Sequence, residues 1–165
     1  MRLSLATATV EDVPALTALH AQVSADLTRR FGQGGWSGSP TARGVAAGMR
    51  HTRVVVARRG KRIVGALTLQ TKKPWAIDVA YFTPVTKALY VTGMAVAPEF
   101  QRQGIGRRLM DEAERMTRAW PAQAIRLDAF DAEAGAGGFY AKCGMQDVGH
   151  VRYRTSLLIY FELIL

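Results

Sequence analysis

A disulfide framework is excluded, because the 165 residues contain a single cysteine, Cys143. Long apolar runs are missing as well. The longest, 157–165, is interrupted by Glu162 and falls far short of the ~20 residues that a membrane-spanning helix needs. The first residues lack the apolar segment of a signal peptide. We therefore expect a cytoplasmic protein without a membrane segment.

Acidic residues are also scarce, since 13 Asp and Glu face 22 Lys and Arg and leave a formal net charge of +9. The basic residues are spread along the chain and form no tail or dense block, which is typical of a solvated surface but would also steer a polyanionic ligand. No basic strip interleaved with aromatic residues is present, so nucleic acid is not the expected partner. His20, His51 and His150 lack metal-ligand spacing, and we expect no metal site.

Two common phosphate-binding signatures are absent. The pattern G-x-x-x-x-G-K-[ST] does not occur, which argues against a P-loop nucleotide hydrolase. The run Gly104–Leu109, GIGRRL, lacks the third glycine of a dinucleotide-binding fingerprint and lies too late in the chain for a first βαβ unit.

The most informative stretch is 89–109, LYVTGMAVAPEFQRQGIGRRL. Its first half is apolar and β-branched, as in a buried strand, and Pro98 closes that strand. The second half has two glycines at the start of an amphipathic helix, where unpaired N–H groups and the helix dipole favour an anion. The bare spacing leaves two interpretations open: a phosphate-binding loop, or a tight turn alone.

The same stretch resembles motif A of the GNAT acyltransferase superfamily, [QR]-x-x-G-x-[GA] after a strand ending in an apolar-x-Val-x-Pro run. Here Gln101-x-x-Gly104-x-Gly106 follows Met94-Ala95-Val96-Ala97-Pro98. A second segment, FYAKCGM at 139–145, is similar to the F-Y-x-x-x-G-F segment of the family and lies at the family's distance. Two ordered motifs at family spacing make a far stronger match than either alone.

The resemblance implies one GNAT domain over residues 1–165, with the element order β-α-α-β-β-β-α-β-α-β-β. The expected fold is α/β: a twisted, mostly antiparallel mixed sheet, splayed between the fourth and fifth strands, with helices on both faces. Patterns along the chain predict a second helix capped by Ser39-Pro40 and a late helix over Glu133–Cys143. The apolar segment 72–85 is read either as a bulged strand on the core or as a wall of an acceptor pocket.

The implied cosubstrate is acetyl-CoA, lying in the splay with its pantetheine arm along the fourth strand. In the family, main-chain groups of that strand bind the arm, and the motif A loop binds the pyrophosphate. The matching positions are Met94, Ala95, Val96, Gln101, Arg102, Gln103, Gly104, Ile105, Gly106 and Arg107. The N–H of Ala95 or Val96 is the expected donor to the thioester carbonyl.

The resemblance assigns the general acid to Tyr140, a phenol that can protonate the leaving thiolate. The glutamate base of the histone-type branch is absent, since Tyr90 occupies its position, so the resemblance implies a base relayed by water. Glu133 stands where the family frequently has an asparagine that contacts the cofactor, so the resemblance does not imply that contact here. The acids available to relay a proton or hold a cationic amine are Asp78, Asp128, Asp131 and Glu99. Cys143 is interpreted as a core residue, because no cationic neighbour is evident to activate its thiol.

The expected reaction is direct transfer of an acetyl group to a primary amine in a ternary complex. Small amines, amino acids, antibiotics and peptide N-termini are all compatible acceptors, and a homodimer is one of the assemblies that the sequence allows. An aromatic wall with one carboxylate suits an ammonium group, and the candidate pocket residues are Trp36, Trp75, Asp78 and Tyr81. The alternative function is a non-catalytic acyl-CoA sensor on the same fold.

Overall fold

The computed structural model describes residues 2–165, in which seven strands and four α-helices follow the predicted order. The strands are β1 (Leu3–Thr7), β2 (Arg53–Arg59), β3 (Arg62–Gln70), β4 (Ala88–Val96), β5 (Ala124–Phe130), β6 (Gln146–Tyr153) and β7 (Ser156–Ile164). The helices are α1 (Val13–Phe31), α2 (Ala42–Met49), α3 (Ile105–Ala119) and α4 (Gly137–Lys142).

The strands form one sheet in the order β1-β2-β3-β4-β5-β7-β6. Neighbouring strands are antiparallel except β4 and β5, which run parallel. These two strands pair only from Ala88 opposite Ala124 to Tyr90 opposite Arg126, and no ladder joins the remainder of β4 to β5. The predicted GNAT fold and its splay between the fourth and fifth strands are therefore confirmed.

Helices cover both faces of the sheet, because the central strands alternate two sets of apolar side chains. Val55 and Ala57 of β2 pack with Leu109 of α3, whereas Val54 and Val56 pack with the Leu16 side of α1. Burying both faces accounts for the continuous apolar runs of these strands.

Three local predictions are wrong in detail. Helix α2 starts at Ala42, because Thr41 caps it by accepting the Gly44 N–H at 3.1 Å, and Ser39 does not cap it. Helix α4 starts at Gly137, four residues after the predicted Glu133, because the preceding residues form a turn in which the Gly135 N–H donates to the Ala132 carbonyl at 2.9 Å. Segment 72–85 forms turns and one 3₁₀ turn, Val79–Tyr81, instead of a strand. Prolines at both ends of this segment remove ladder donors.

None of the helices within residues 2–165 is long and apolar enough to cross a membrane.

Candidate active site

The loop from Arg102 to the first turn of α3 presents a row of free main-chain donors. The first helical hydrogen bond runs from Arg108 N–H to the Gly104 carbonyl at 3.1 Å, and within residues 2–165 no acceptor pairs with the N–H groups of residues 102–107. Two residues have left-handed backbone, Arg102 with φ 61° and Gly104 with φ 82°. This geometry suits an anion, because the donors converge at the positive end of the helix dipole.

Three side chains of the predicted cofactor loop are engaged within the protein. The Gln101 amide donates to the Val96 carbonyl at 3.0 Å, and the Gln103 carbonyl oxygen accepts from Arg59 at 3.2 Å. Arg107 donates to the Asp111 carboxylate at 3.0 Å and to the Lys142 carbonyl at 3.1 Å. These contacts hold the loop in shape and connect α3 to the end of α4. Of these three positions, Gln103 and Arg107 keep main-chain N–H groups that are free to bind a ligand, whereas the Gln101 N–H donates to the Pro98 carbonyl at 3.3 Å.

Strand β4 is kinked where it leaves β5. The register against β3 shifts between Thr92 and Ala95, and Gly93 takes the left-handed conformation (φ 59°) that such a bulge requires. Beyond the bulge, the Ala97 N–H donates to the Val64 carbonyl on β3 at 2.9 Å. Because successive residues of a strand point their N–H groups to opposite sides, the Val96 N–H faces the side that β5 has left. The predicted contact residues Met94, Ala95 and Val96 thus form an edge on the splay.

Tyr140 is buried on α4 with only 6% of its surface exposed. Phe139 and Phe161 pack around its ring, at 5.2 and 5.9 Å between ring centroids. The hydroxyl has no hydrogen-bond partner among the described residues. Burial, followed by the charges of Cys143 and Asp128, raises the pKa of Tyr140 above its ordinary value, so the phenol stays protonated at neutral pH.

Of the four candidate acids, Asp128 differs from the other three. It lies on β5 two residues past Arg126, where pairing with β4 stops. Its carboxylate has no hydrogen bond or ion pair within residues 2–165. Burial alone raises its pKa. Its charge reaches the hydroxyls of both Tyr140 and Tyr160.

The other three acids are occupied. Asp78 accepts the Ala80 N–H at 3.0 Å and caps the 3₁₀ turn. Asp131 bonds to His150 at 3.1 Å, and Glu99 pairs with Arg62 and accepts from Gln22. These carboxylates have structural partners, which leaves Asp128 as the candidate acid at the splay.

A buried polar cluster occupies the closed end of the splay, and sequence reasoning missed it. Arg126 donates to the Tyr90 hydroxyl at 3.1 Å and to the Thr83 carbonyl at 2.9 Å. Glu162 accepts both the Thr83 N–H (3.1 Å) and the Thr83 hydroxyl (2.6 Å). Arg126 and Glu162 are 7% and 3% exposed. The charged residues within the otherwise apolar strands β5 and β7 were the available signal.

Three of the four predicted acceptor residues line one cavity of about 260 Å³. Trp75, Asp78 and Tyr81 form one wall, and Tyr160 and the β6–β7 hairpin form the other. Trp36 does not line it, because its ring packs edge-on against Phe130 at the end of β5, 5.6 Å between centroids. The structure therefore places Trp36 apart from the other three.

Cys143 packs against the core beside α4, as predicted. Burial is the largest influence on its thiol and raises its pKa above the ordinary value, although Arg107 opposes this shift. A protonated thiol is a poor nucleophile, so the geometry does not favour a covalent acyl-cysteine.

Comparison with known proteins identifies the family. The family model for the Acetyltransferase (GNAT) family matches residues 24–145, well over half of the chain. The chain belongs to the GNAT acetyltransferase family. Membership in this GNAT family supports acyl transfer from acetyl-CoA as the general activity. No curated protein sequence matches the chain.

Solved structures of GNAT proteins resemble the chain over nearly its whole length. The ribosomal-protein-alanine N-acetyltransferase from Brucella melitensis is 18% identical, with a TM-score of 0.76 and coverage of 98% of this chain and 99% of that one. The ribosomal-protein-S18-alanine N-acetyltransferase from Escherichia coli is 15% identical, with a TM-score of 0.74 and coverage of 99% and 94%. The PaiA N-acetyltransferase from Thermoplasma acidophilum in complex with coenzyme A is 13% identical, with a TM-score of 0.73 and coverage of 97% and 98%. At these identities the likeness establishes the fold.

Proposed function

We propose that the chain is an N-acetyltransferase that moves the acetyl group of acetyl-CoA directly to a primary amine. The observation that carries this proposal is the unpartnered Tyr140 hydroxyl close to the unpartnered Asp128 carboxylate, beside the splay and the donor-rich loop. Because neither group is committed to a hydrogen bond within residues 2–165, both are available to a substrate in the splay.

The cofactor is held mainly by main-chain groups. Six N–H groups from Arg102 to Arg107 bind the pyrophosphate, and the β4 edge from Met94 to Val96 binds the pantetheine amides as an added strand would. Arg102 and Arg108 form no salt bridge within residues 2–165, and their charges attract the phosphates.

The chemistry uses the two sides of the splay. The amine nitrogen attacks the thioester carbonyl, whose oxygen accepts a hydrogen bond from the Val96 N–H, the one of the two predicted donors that faces the splay. Tyr140 then donates its proton to the departing thiolate. The apolar surroundings that raise the pKa of Tyr140 also disfavour a free thiolate and so raise the pKa of the CoA thiol. The two pKa values therefore lie closer together than a change in Tyr140 alone would leave them. The amine loses its proton to a base relayed by water.

The acceptor enters from the face of α1 and α2 and carries a positive charge before it reacts. The Asp128 carboxylate attracts the ammonium form. The cavity of Trp75, Asp78 and Tyr81 holds the remainder of the acceptor, whether a small amine or the N-terminus of a peptide.

Two measurements test this function. Acetyl-CoA is expected to raise the melting temperature of the wild type and of Tyr140→Phe equally, because the phenol does not hold the cofactor. In an amine panel that detects free CoA, the wild type is expected to turn over, and Tyr140→Phe is expected to lower kcat by roughly 10²-fold or more.

Cys143→Ala serves as the control, because Cys143 lies one turn from Tyr140 and has no role in the proposed chemistry. This variant is expected to retain full turnover. Thermal stabilisation without CoA release from any amine supports the sensor alternative. Equal turnover by wild type and Tyr140→Phe at all pH values removes Tyr140 from the mechanism.

A further inference from the structure

His20 of α1 lies against the bulge of β4, on the acceptor face of the sheet. Its Cε1 and Nε2 atoms lie 3.7 and 4.0 Å from the position that a Cβ on Gly93 would take, and Thr68 Oγ1 lies 3.4 Å from the same position. Gly93 lies in the stretch of β4, beyond Tyr90, that has separated from β5. The imidazole thus lies next to the edge along which the thioester arm is proposed to run.

No structural role in the fold explains this imidazole. Leu16, one turn earlier on α1, is 1% exposed and packs into the core, so His20 is placed on the sheet-facing side of the helix. Among the described residues, no donor or acceptor bonds to either ring nitrogen. Burial alone lowers the pKa of His20, so the neutral form, which can accept a proton, prevails at neutral pH.

No charged group on the elements packed against α1 pairs with the His20 imidazole. The elements packed against α1 are the turns 10–12, 35–37 and 98–100, with α2, β3 and β4. Their titratable residues are Glu11, Asp12, Arg43, Arg62, Tyr90 and Glu99. Asp12 pairs with Arg58 and Glu99 pairs with Arg62, and none of the six contributes to the shift at His20.

We propose that His20 is the group that accepts the proton lost by the amine. The proposal rests on the proposed acetyl transfer and identifies its base. Asp128 keeps a separate role, because a carboxylate suits attraction of the ammonium, whereas a neutral imidazole suits transient protonation.

An ammonium proton passes through water to a ring nitrogen of His20, and the freed lone pair forms the N–C bond to the acetyl group. The C–S bond breaks, and the thiolate takes the Tyr140 proton. The second proton lost by nitrogen restores the phenol through water, and the imidazolium releases its proton to solvent. The net products are the amide, CoA as a thiol, and one proton.

Proton NMR of the imidazole C2–H groups tests the placement without turnover, because the sequence has only three histidines. The resonance missing from His20→Gln identifies His20. We expect it to titrate below the ordinary value of about 6.5 and to shift when acetyl-CoA binds, whereas the His51 resonance does not shift. If acetyl-CoA raises the melting temperature but leaves the His20 resonance unmoved, the proposal is overturned; if acetyl-CoA does neither, the proposed function fails first.

The pH profile of kcat/KM for the amine tests the chemistry. His20→Gln and His20→Asn are both expected to lower kcat by roughly 10²-fold and to lose the acid limb of the profile, with the KM for acetyl-CoA unchanged. Added imidazole is expected to restore part of the rate in His20→Ala, and His51→Gln is the matched control with wild-type behaviour. A wild-type profile in His20→Gln overturns the proposal, as does loss of the acid limb in Asp128→Asn alone.

Discussion

Asp128 illustrates, at the scale of one residue, how a group can cost stability and serve binding. Burial raises its folded pKa above the unfolded value of 3.8. The folded state therefore holds the proton more tightly than the unfolded state, so the free energy of unfolding falls as pH rises through and above that value. An ionised, unpartnered carboxylate is maintained at neutral pH at the expense of the fold.

Asp128→Asn is accordingly expected to raise the melting temperature at pH 7 and to raise the KM of the amine. The stability gain is expected to vanish near pH 3, where both states are protonated. Melting curves at the two pH values and amine saturation curves check this.

Asp12→Asn is the opposite control. Arg58, 2.7 Å away, lowers the pKa of Asp12, so this carboxylate stabilises the fold above the unfolded value and loses that contribution as pH falls. Its replacement should lower the melting temperature at pH 7. A lower melting temperature in both variants would contradict the interpretation of Asp128.

Gly104 is a second residue whose replacement is expected to change the stability of the fold measurably. An added Cβ would meet no atom within 4 Å, so the only penalty of Gly104→Ala is its backbone angle, φ 82°. We expect a loss of about 1 kcal/mol in the free energy of unfolding and weaker acetyl-CoA binding, measured by urea titration and calorimetry.

The matched control is Gly48→Ala in α2, where a Cβ also meets nothing and the backbone is helical. That change should stabilise the protein by about 0.5–1 kcal/mol. Equal effects of the two substitutions would show that the left-handed conformation of Gly104 is not needed.

At the scale of elements, segment 72–87 is held to the sheet by buried charge. Thr83 lies between Arg126 and Glu162 and bonds to both. Ile77 and Phe82 pack with Tyr90 and Tyr160 beneath the segment. This fixes one wall of the candidate acceptor cavity before any acceptor arrives.

Arg126→Met is therefore expected to cost about 3 kcal/mol, because it leaves the buried Glu162 without its neighbouring cation. Urea unfolding gives the loss, and faster hydrogen exchange within 72–87 locates it. Arg118→Met breaks an exposed pair with Glu114 and should cost less than about 0.5 kcal/mol. A similar small loss in both variants would mean that the cluster does not hold the segment.

Regular elements were predictable from sequence where a repeated pattern determines them. The apolar spacing of α3 placed this helix correctly, because its buried positions recur every three to four residues. Segment 72–85 has no such period. Its conformation depends on the partners Arg126 and Glu162 from distant strands, which local sequence cannot reveal.

For the whole molecule, two ordered motifs predicted the fold and the position of the loop, while the acceptor side was predictable only in part. Asp128 was one of four equivalent acids until the partners of the other three were known. The sequence indicated only that His20 lacks metal-ligand spacing, because the fold alone brings it to the bulge of β4. Trp36 was grouped with Trp75 from composition alone, and the structure separates them.

The short parallel ladder between β4 and β5 separates two groups of elements with different proposed roles. On the proposed assignments, α1, β4 and the loop that leads into α3 hold the base and the cofactor, whereas α4, β5, segment 72–87 and the β6–β7 hairpin supply the acid, the carboxylate and the pocket wall. Acceptor preference can therefore change among descendants of this chain through substitutions in the elements that form the pocket wall. The residues of β4 and of the loop into α3 that bind the cofactor would not need to change.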